Sequence, residues 1–186
     1  MDILILGSTL LTELSIEKIK DSHNIVGYVP SINPTVEGDI KLPIVDENIK
    51  CDIKLSIQYD KIIKNTRNCF NVHTGLLPEY GGTNILTYSI MNRAVEQGLT
   101  FHKMTKDLDY GPIISKTTYP VLPGDTSFDL FERLLLVGPN FILSCLNLLE
   151  TLSEYQINKC YKKKPTIYKR GYIQAEERIK NYERRH

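Results

Sequence analysis

Apolar positions along this chain follow two periods. Short β-rich runs stand at Asp2–Leu6, Asn24–Val29, Cys51–Ile57 and Cys69–His73. Between the first two, Leu10, Leu11, Leu14, Ile16 and Ile19 recur at helical spacing. Residues 30–40 are polar, with two prolines and a glycine, and read as a loop. Leu42–Val45 is expected to be a short strand, and a short helix is expected after Ile57, running to Lys64. Thr74–Thr83 is a Gly/Pro-rich loop, and Asn84 is placed to cap a helix from Ile85 to about Ala94. Leu99–Thr105 and Ile113–Pro120 read as two strands around the loop 106–112, pairing antiparallel at one side of the sheet. A long helix follows Gly124, with Asp125, Thr126 or Ser127 as its cap. Its apolar positions run from Phe128 to Leu148, and Gly138-Pro139 is expected to break or kink it. Strands alternating with helices argue for an α/β protein with a parallel sheet.

Composition narrows this picture. A chain of 186 residues suits one domain with a short appendage, and 41% hydrophobic residues can fill a core. The net charge of +1 gives no general reason to expect a nucleic-acid or membrane partner. Lys and Arg concentrate only between Lys159 and Arg185. Cys51, Cys69, Cys145 and Cys160 form no Cys-x-x-Cys pair and have no His at ligand spacing, so reduced thiols are expected and a zinc site is not. The opening apolar run is too short for a membrane helix and shows no basic leader or cleavage site; a cytoplasmic protein is the default expectation. The first turn, Gly7-Ser8-Thr9, lacks Gly-x-Gly-x-x-Gly spacing, and no Walker A sequence is present, which argues against a dinucleotide enzyme.

The chemistry-bearing segment is Asn71-Val72-His73, followed by Thr74-Gly75-Leu76-Leu77-Pro78-Glu79-Tyr80-Gly81-Gly82. On a strand, Asn71 and His73 share a face. They sit at the strand's C-terminal end, where open α/β sheets place ligands. A carboxylate could reach them from Asp107-Leu108-Asp109-Tyr110-Gly111-Pro112, although only the fold, not the spacing, brings it there. Each residue alone has an ordinary explanation: a strand-end histidine is usually structural, and Asn or Asp beside a loop usually forms a turn.

Together these segments resemble the folate-dependent formyltransferase family. The resemblance rests on Asn71, His73, Leu76 to Pro78, Tyr80, Gly82, Gly98, Thr100 and Leu108 to Ile113. It covers roughly residues 1–150. It implies a Rossmann-like, mostly parallel twisted sheet flanked by helices, with residues 1–150 as catalytic domain. Residues 151–186 would then be a basic, Tyr-containing tail packing on or extending the core. Asn71 would donate a hydrogen bond to the oxyanion on the formyl carbon. His73 would take the amine proton or stabilise the tetrahedral intermediate, and Asp109 would orient His73 and aid proton transfer. The formyl donor would be 10-formyltetrahydrofolate, with no metal. Backbone at Lys61, Ile62 and Ile63 would meet its pteridine edge. Asp107, Leu108 and Gly111, with Pro112, would shape the other side, and Ile57 and Ile85 would be wall or core residues. Leu77, Pro78, Tyr80 and Gly82, with Gly7 and Ser8, would contact the acceptor.

Two departures bear on that acceptor. Many relatives carry Arg where this chain has Gly81. The first turn also lacks the Gly-x-Gly-Ser-Asn of glycinamide ribonucleotide formyltransferases. The region 99–120 and the tail 162–170, with Tyr161, Tyr168 and Tyr172, look closer to sugar N-formyltransferases. The implied acceptor is a nucleotide-linked amino sugar, a dTDP-4-amino-4,6-dideoxyhexose above others. The alternatives are glycinamide ribonucleotide, a non-catalytic folate-binding module, or an unrelated fold with a chance motif. Methionyl-tRNA formyltransferases carry a sizeable C-terminal tRNA domain, so tRNA is the less expected partner. A homodimer is compatible with the sugar class.

Overall fold

The computed structural model describes residues 1–169. In chain order its elements are β1 (Asp2–Leu6), α1 (Leu10–Ile19), β2 (Asn24–Val29), β3 (Ile53–Ile57), β4 (Cys69–His73), β5 (Gly81–Gly82), α2 (Ile85–Met91), β6 (Glu96–Lys103), β7 (Ile113–Pro120), α3 (Ser127–Thr151), α4 (Glu154–Lys159) and β8 (Ile167–Tyr168). Six strands form one sheet in the order β2-β1-β3-β4-β6-β7. β2, β1, β3 and β4 run parallel, β6 pairs antiparallel with β4, and β7 turns back again. Only β6 opposes the common direction, so the sheet is mostly parallel with a hairpin edge.

Alternation along each strand divides the sheet into two faces. Ile3, Ile5, Ile53, Leu55, Ile57, Phe70, Val72, Leu99 and Phe101 point to one face and join a single core with α1 and α3. The intervening residues of β3, β4 and β6 are Lys54, Ser56, Cys69, Asn71, His73, Thr100 and His102, which are nearly all polar. Among the described residues no helix pair covers that second face; loops do.

α3 is 25 residues long and holds an 18-residue stretch with a mean hydropathy of 1.5, enough by length and composition to cross a membrane. Its buried stripe of Leu130, Leu134, Ile142, Cys145, Leu146 and Leu149 lies instead on the sheet and α1, the position of a core helix. Thr126 is its cap, accepting from the Asp129 N–H. Gly138-Pro139 does not break it. Gly138 lies against Leu11 of α1, and burial along both flanks outweighs the hydrogen bond that Pro139 cannot donate.

Other expectations are corrected. No helix follows Ile57. There Gln58 takes a left-handed φ of 51°, and Asp60 accepts from the Ile32 and Asn33 N–H groups, holding the segment as a loop. Leu42–Val45 makes only an isolated bridge between Ile44 and Tyr28. Asn84 does precede α2, but at φ 57° its side chain caps nothing, and the helix ends at Met91 before a left-handed Arg93. β6 begins at Glu96, three residues ahead of the expected start. β5, α4 and β8 were not expected at all.

Candidate active site

β4 presents Asn71 and His73 on the face away from the helices. Its antiparallel register with β6 sets His102 opposite Asn71 and Thr100 opposite His73. The loop after β6 then folds back over this face and delivers Asp109, whose backbone is left-handed at φ 50°. Asp109 Oδ1 lies 3.6 Å from His73 Nδ1 and 3.9 Å from His102 Nε2. Its Oδ2 accepts from the Gly82 N–H at 2.7 Å. All three side chains are at most 7% exposed, so their attraction is not diluted by water as a surface pair would be.

His102 explains how Asn71 is aimed. Its Nδ1 lies 3.1 Å from the Lys103 carbonyl, which can only accept, so Nδ1 carries the proton. Nε2 is then bare and accepts from Asn71 Nδ2 at 3.2 Å. Burial pushes His102 down to about 4; His73 adds to that, and Asp109 opposes it. The ring is therefore neutral near pH 7, as this bonding pattern requires. It fixes which end of the Asn71 amide carries hydrogens and leaves one N–H unspent. Sequence reading passed over His102 because no motif marks it. Its alternation with Thr100 was visible, but its partner depended on the strand register.

His73 is held differently. Its Nε2 is 2.6 Å from the Tyr80 carbonyl, and its Nδ1 faces Asp109. Both partners are acceptors, so either one is satisfied by whichever ring nitrogen carries a proton. The loop carrying Tyr80 is itself pinned to the β6–β7 hairpin. Leu76 N–H donates to Gln97 Oε1 at 3.0 Å, and Leu77 N–H to Thr100 Oγ1 at 3.0 Å. Thr100 Oγ1 donates to the Gly75 carbonyl, and Lys116 Nζ to the Leu77 carbonyl. Leu77 is buried, and its bond to Pro78 is cis.

An amide donor, an imidazole and a carboxylate thus converge on one sheet face. Residues 54–146, half of the chain, match the Formyl transferase family. The chain belongs to that family. The matched stretch holds Asn71, His73, His102 and Asp109 together. The chain is 28% identical over 167 residues to a methionyl-tRNA formyltransferase of Borrelia hermsii, an alignment covering 73% of this chain and 54% of that protein. It thus spans about half the length of that curated relative.

Solved structures repeat this fold. An N-formyltransferase from Helicobacter canadensis, in complex with folinic acid and dTDP-3-aminofucose, superposes with a TM-score of 0.79 at 21% identity, covering 92% of this chain and 72% of that one. Glycinamide ribonucleotide transformylase 1 from Symbiobacterium toebii gives 0.66 at 18% identity, covering 83% and 90%.

The remaining expected residues fall in several places. In the loop after β3, Lys61 is exposed and packs its ammonium over Tyr59, Ile62 is 94% exposed, and Ile63 is buried with Leu4, Leu6 and Cys69. In the loop after β6, Asp107 and Leu108 are exposed, Leu108 by 62%, while Gly111 closes against the Lys103 carbonyl. Ile57 and Ile85 are core residues. Gly7 and Ser8 lie at the end of β1 and are occupied internally. Gly7 N–H donates to Val29, Ser8 Oγ accepts from Ser31, and the Ser8 carbonyl accepts from Gly38. No hydrogen bond joins either to the Asn71–His73–Asp109 cluster among the described residues. Tyr168 packs between Tyr80 and Tyr88, with ring centroids 5.7 and 4.4 Å away. Arg170 and Tyr172 lie outside the described residues. Among the described residues no group of three His, Cys, Asp or Glu could hold a metal ion.

Proposed function

We propose that this chain moves a formyl group from 10-formyltetrahydrofolate to the amine of a nucleotide-linked amino sugar. A dTDP-4-amino-4,6-dideoxyhexose is the favoured acceptor. The observation that carries the reaction is the convergence of Asn71, His73 and Asp109 on one face within a formyl transferase domain.

The amine attacks the formyl carbon directly. A new C–N bond forms and the carbonyl oxygen becomes an oxyanion. The unspent N–H of Asn71 donates to it, an interaction worth about 2.7–4 kcal/mol at a transition state. His73 manages the amine proton; its Nε2 exchanges the Tyr80 carbonyl for the reacting groups. Asp109 orients the ring and balances its charge. The bond from the formyl carbon to the folate nitrogen breaks, and that nitrogen takes the proton the amine has lost. Exposed Ile62 and Leu108 offer apolar surface on two loops, which suits a flat pteridine ring, and backbone at 61–63 would hydrogen-bond its edge. Asp107 and Gly111 would shape the loop on the folate's other side. Leu77, Pro78, Tyr80 and Gly82 would border the acceptor, with Gly7 and Ser8 on the side of β1. Residues 1–150 would form the catalytic domain and 151–186 its appendage, in a cytoplasmic enzyme compatible with a homodimer. The Helicobacter enzyme's dTDP-linked amino sugar supports this acceptor class.

A second reading has its own support. The curated relative above acts on methionyl-tRNA by its description. One assay separates them: 10-formyltetrahydrofolate turnover with a panel of dTDP- and UDP-linked amino sugars, glycinamide ribonucleotide and charged initiator tRNA. Formylation of a sugar amine is expected. Formylation of tRNA or glycinamide ribonucleotide alone would overturn the sugar assignment.

A further inference from the structure

Past α4 the chain turns back across the site as a strap, residues 161–168, and it touches both loops that hold the catalytic groups. At one end the Tyr161 carbonyl accepts from the Ile113 N–H at 2.8 Å, and Lys162 Nζ lies 4.3 Å from the Tyr110 ring centre. Tyr110 follows Asp109 directly. At the other end β8 pairs with β5. Thr166 N–H donates to Pro78, Gly81 N–H donates to Thr166, and Thr83 N–H donates to Tyr168. The Tyr168 ring stacks on Tyr80 at an interplanar angle of 17°, leans on Tyr88, and its hydroxyl accepts from Asn92 Nδ2 at 2.9 Å.

The residues so clasped are the ones that hold His73 and Asp109. Tyr80 supplies the carbonyl under His73 Nε2, and Gly82 supplies the N–H on Asp109 Oδ2. The two glycines of β5 are the counterpart of this contact. A Cβ on Gly82, whose φ is +93°, would collide with the Tyr168 carbonyl. One on Gly81 would come within 3.0 Å of both Pro165 and Ile167. The strap thus fills the space beside Gly81.

We infer that Tyr168 and Lys162 are positioning residues: the strap they anchor sets the spacing between the Tyr80–Gly82 loop and the Asp109 loop, and so the His73–Asp109 geometry. The inference rests on the formyl-transfer reading for its kinetic part only. A displacement of about 1 Å at a catalytic group can lower the rate about 100-fold.

The test uses the full chain with the substitutions Tyr168→Ala, Tyr168→Phe and Lys162→Ala. With 10-formyltetrahydrofolate and the sugar amine that proves best, Tyr168→Ala is expected to lower kcat about 30-fold while both KM values stay within about threefold. Tyr168→Phe keeps the stack and is expected to restore kcat to within about twofold, and Lys162→Ala to lower it about threefold. A second readout needs no turnover: in Tyr168→Ala the Gly82 amide proton should lose its carboxylate-bonded shift and exchange protection by NMR, and in Tyr168→Phe it should keep both. Lys162→Ala, which alters only an exposed residue of the strap, guards against a Tyr168 variant that fails to fold. Unchanged kcat in both alanine variants, or an unchanged Gly82 amide in Tyr168→Ala, overturns the inference. If no amine is formylated by the unaltered chain, the transfer reading fails, and the Gly82 amide alone decides on the strap.

Discussion

Neighbouring residues on the same two strands have opposite work in this molecule. On β6, Phe101 is fully buried against Phe70 and the helices, and His102 beside it faces the catalytic cluster. On β4, Phe70 and Val72 fill the core, and Asn71 and His73 line the candidate active site. One face buries apolar area and supplies stability; the other keeps polar groups partly dehydrated and holds the candidate site. The division teaches that the pleat alone, with its period of two, lets one strand serve both ends without compromise. It also predicts that substitutions on the two faces have separable effects.

The largest separation is expected from His73→Ala. Loss of the imidazole should lower kcat about 1,000-fold, within the range of general acid–base contributions. The helix-covered core is untouched, so the thermal midpoint should stay within a few degrees, by calorimetry on the same preparation. A large fall in stability with intact kcat would invert the comparison. Phe101→Ala is the mirror experiment. Removing a fully buried ring from the other face is expected to destabilise the fold by about 3–5 kcal/mol in denaturant titration. The fraction still folded should retain kcat within a few-fold.

The two faces were not equally legible in the sequence. β1, β2, β4 and β7 follow directly from local apolar patterns, and the shared face of Asn71 and His73 follows from alternation. Asp109 reaching them was readable only through the family resemblance. The supports around them were not readable. Whether His102 meets Asn71 depends on the β4–β6 register, and whether Tyr80 and Gly82 hold His73 and Asp109 depends on backbone groups that any residue possesses. The strap joins residues about 85 apart in sequence through a two-residue strand, too short for any pattern. Gly138-Pro139 failed in the other direction: a strong local signal for a helix break gave way to tertiary burial.

His102 sharpens the comparison, because it is a site-face residue that also affects stability. Its pKa is pushed down to about 4, chiefly by burial, against 6.5 for an unfolded histidine. Between those values the unfolded chain binds a proton that the folded chain does not. Stability therefore rises with pH across the window, is fully present above about 6.5, and is lost as pH falls toward about 4. His102→Gln should flatten this part of the curve in thermal unfolding followed from pH 7 to 4.5. At pH 7.5 it should lower kcat about tenfold through a less firmly held Asn71. An unaltered pH dependence of stability would remove His102 from the account.

The smallest expected effect tests the helix-covered face at its rim. Thr126 caps α3: its Oγ1 accepts from the Asp129 N–H, and Asp129 returns the bond to the Thr126 N–H at 2.7 Å. Thr126→Ala removes one side of this reciprocal pair and should destabilise the chain by about 1 kcal/mol. Yet α3 lies across the sheet from Asn71 and His73, and none of its hydrogen bonds described above reaches them. The loss should therefore appear in the unfolding midpoint and leave kcat unchanged. A kcat change comparable with that of His102→Gln would mean that the two faces are mechanically coupled through the single layer of β-sheet, and that the division between them holds for burial but not for function.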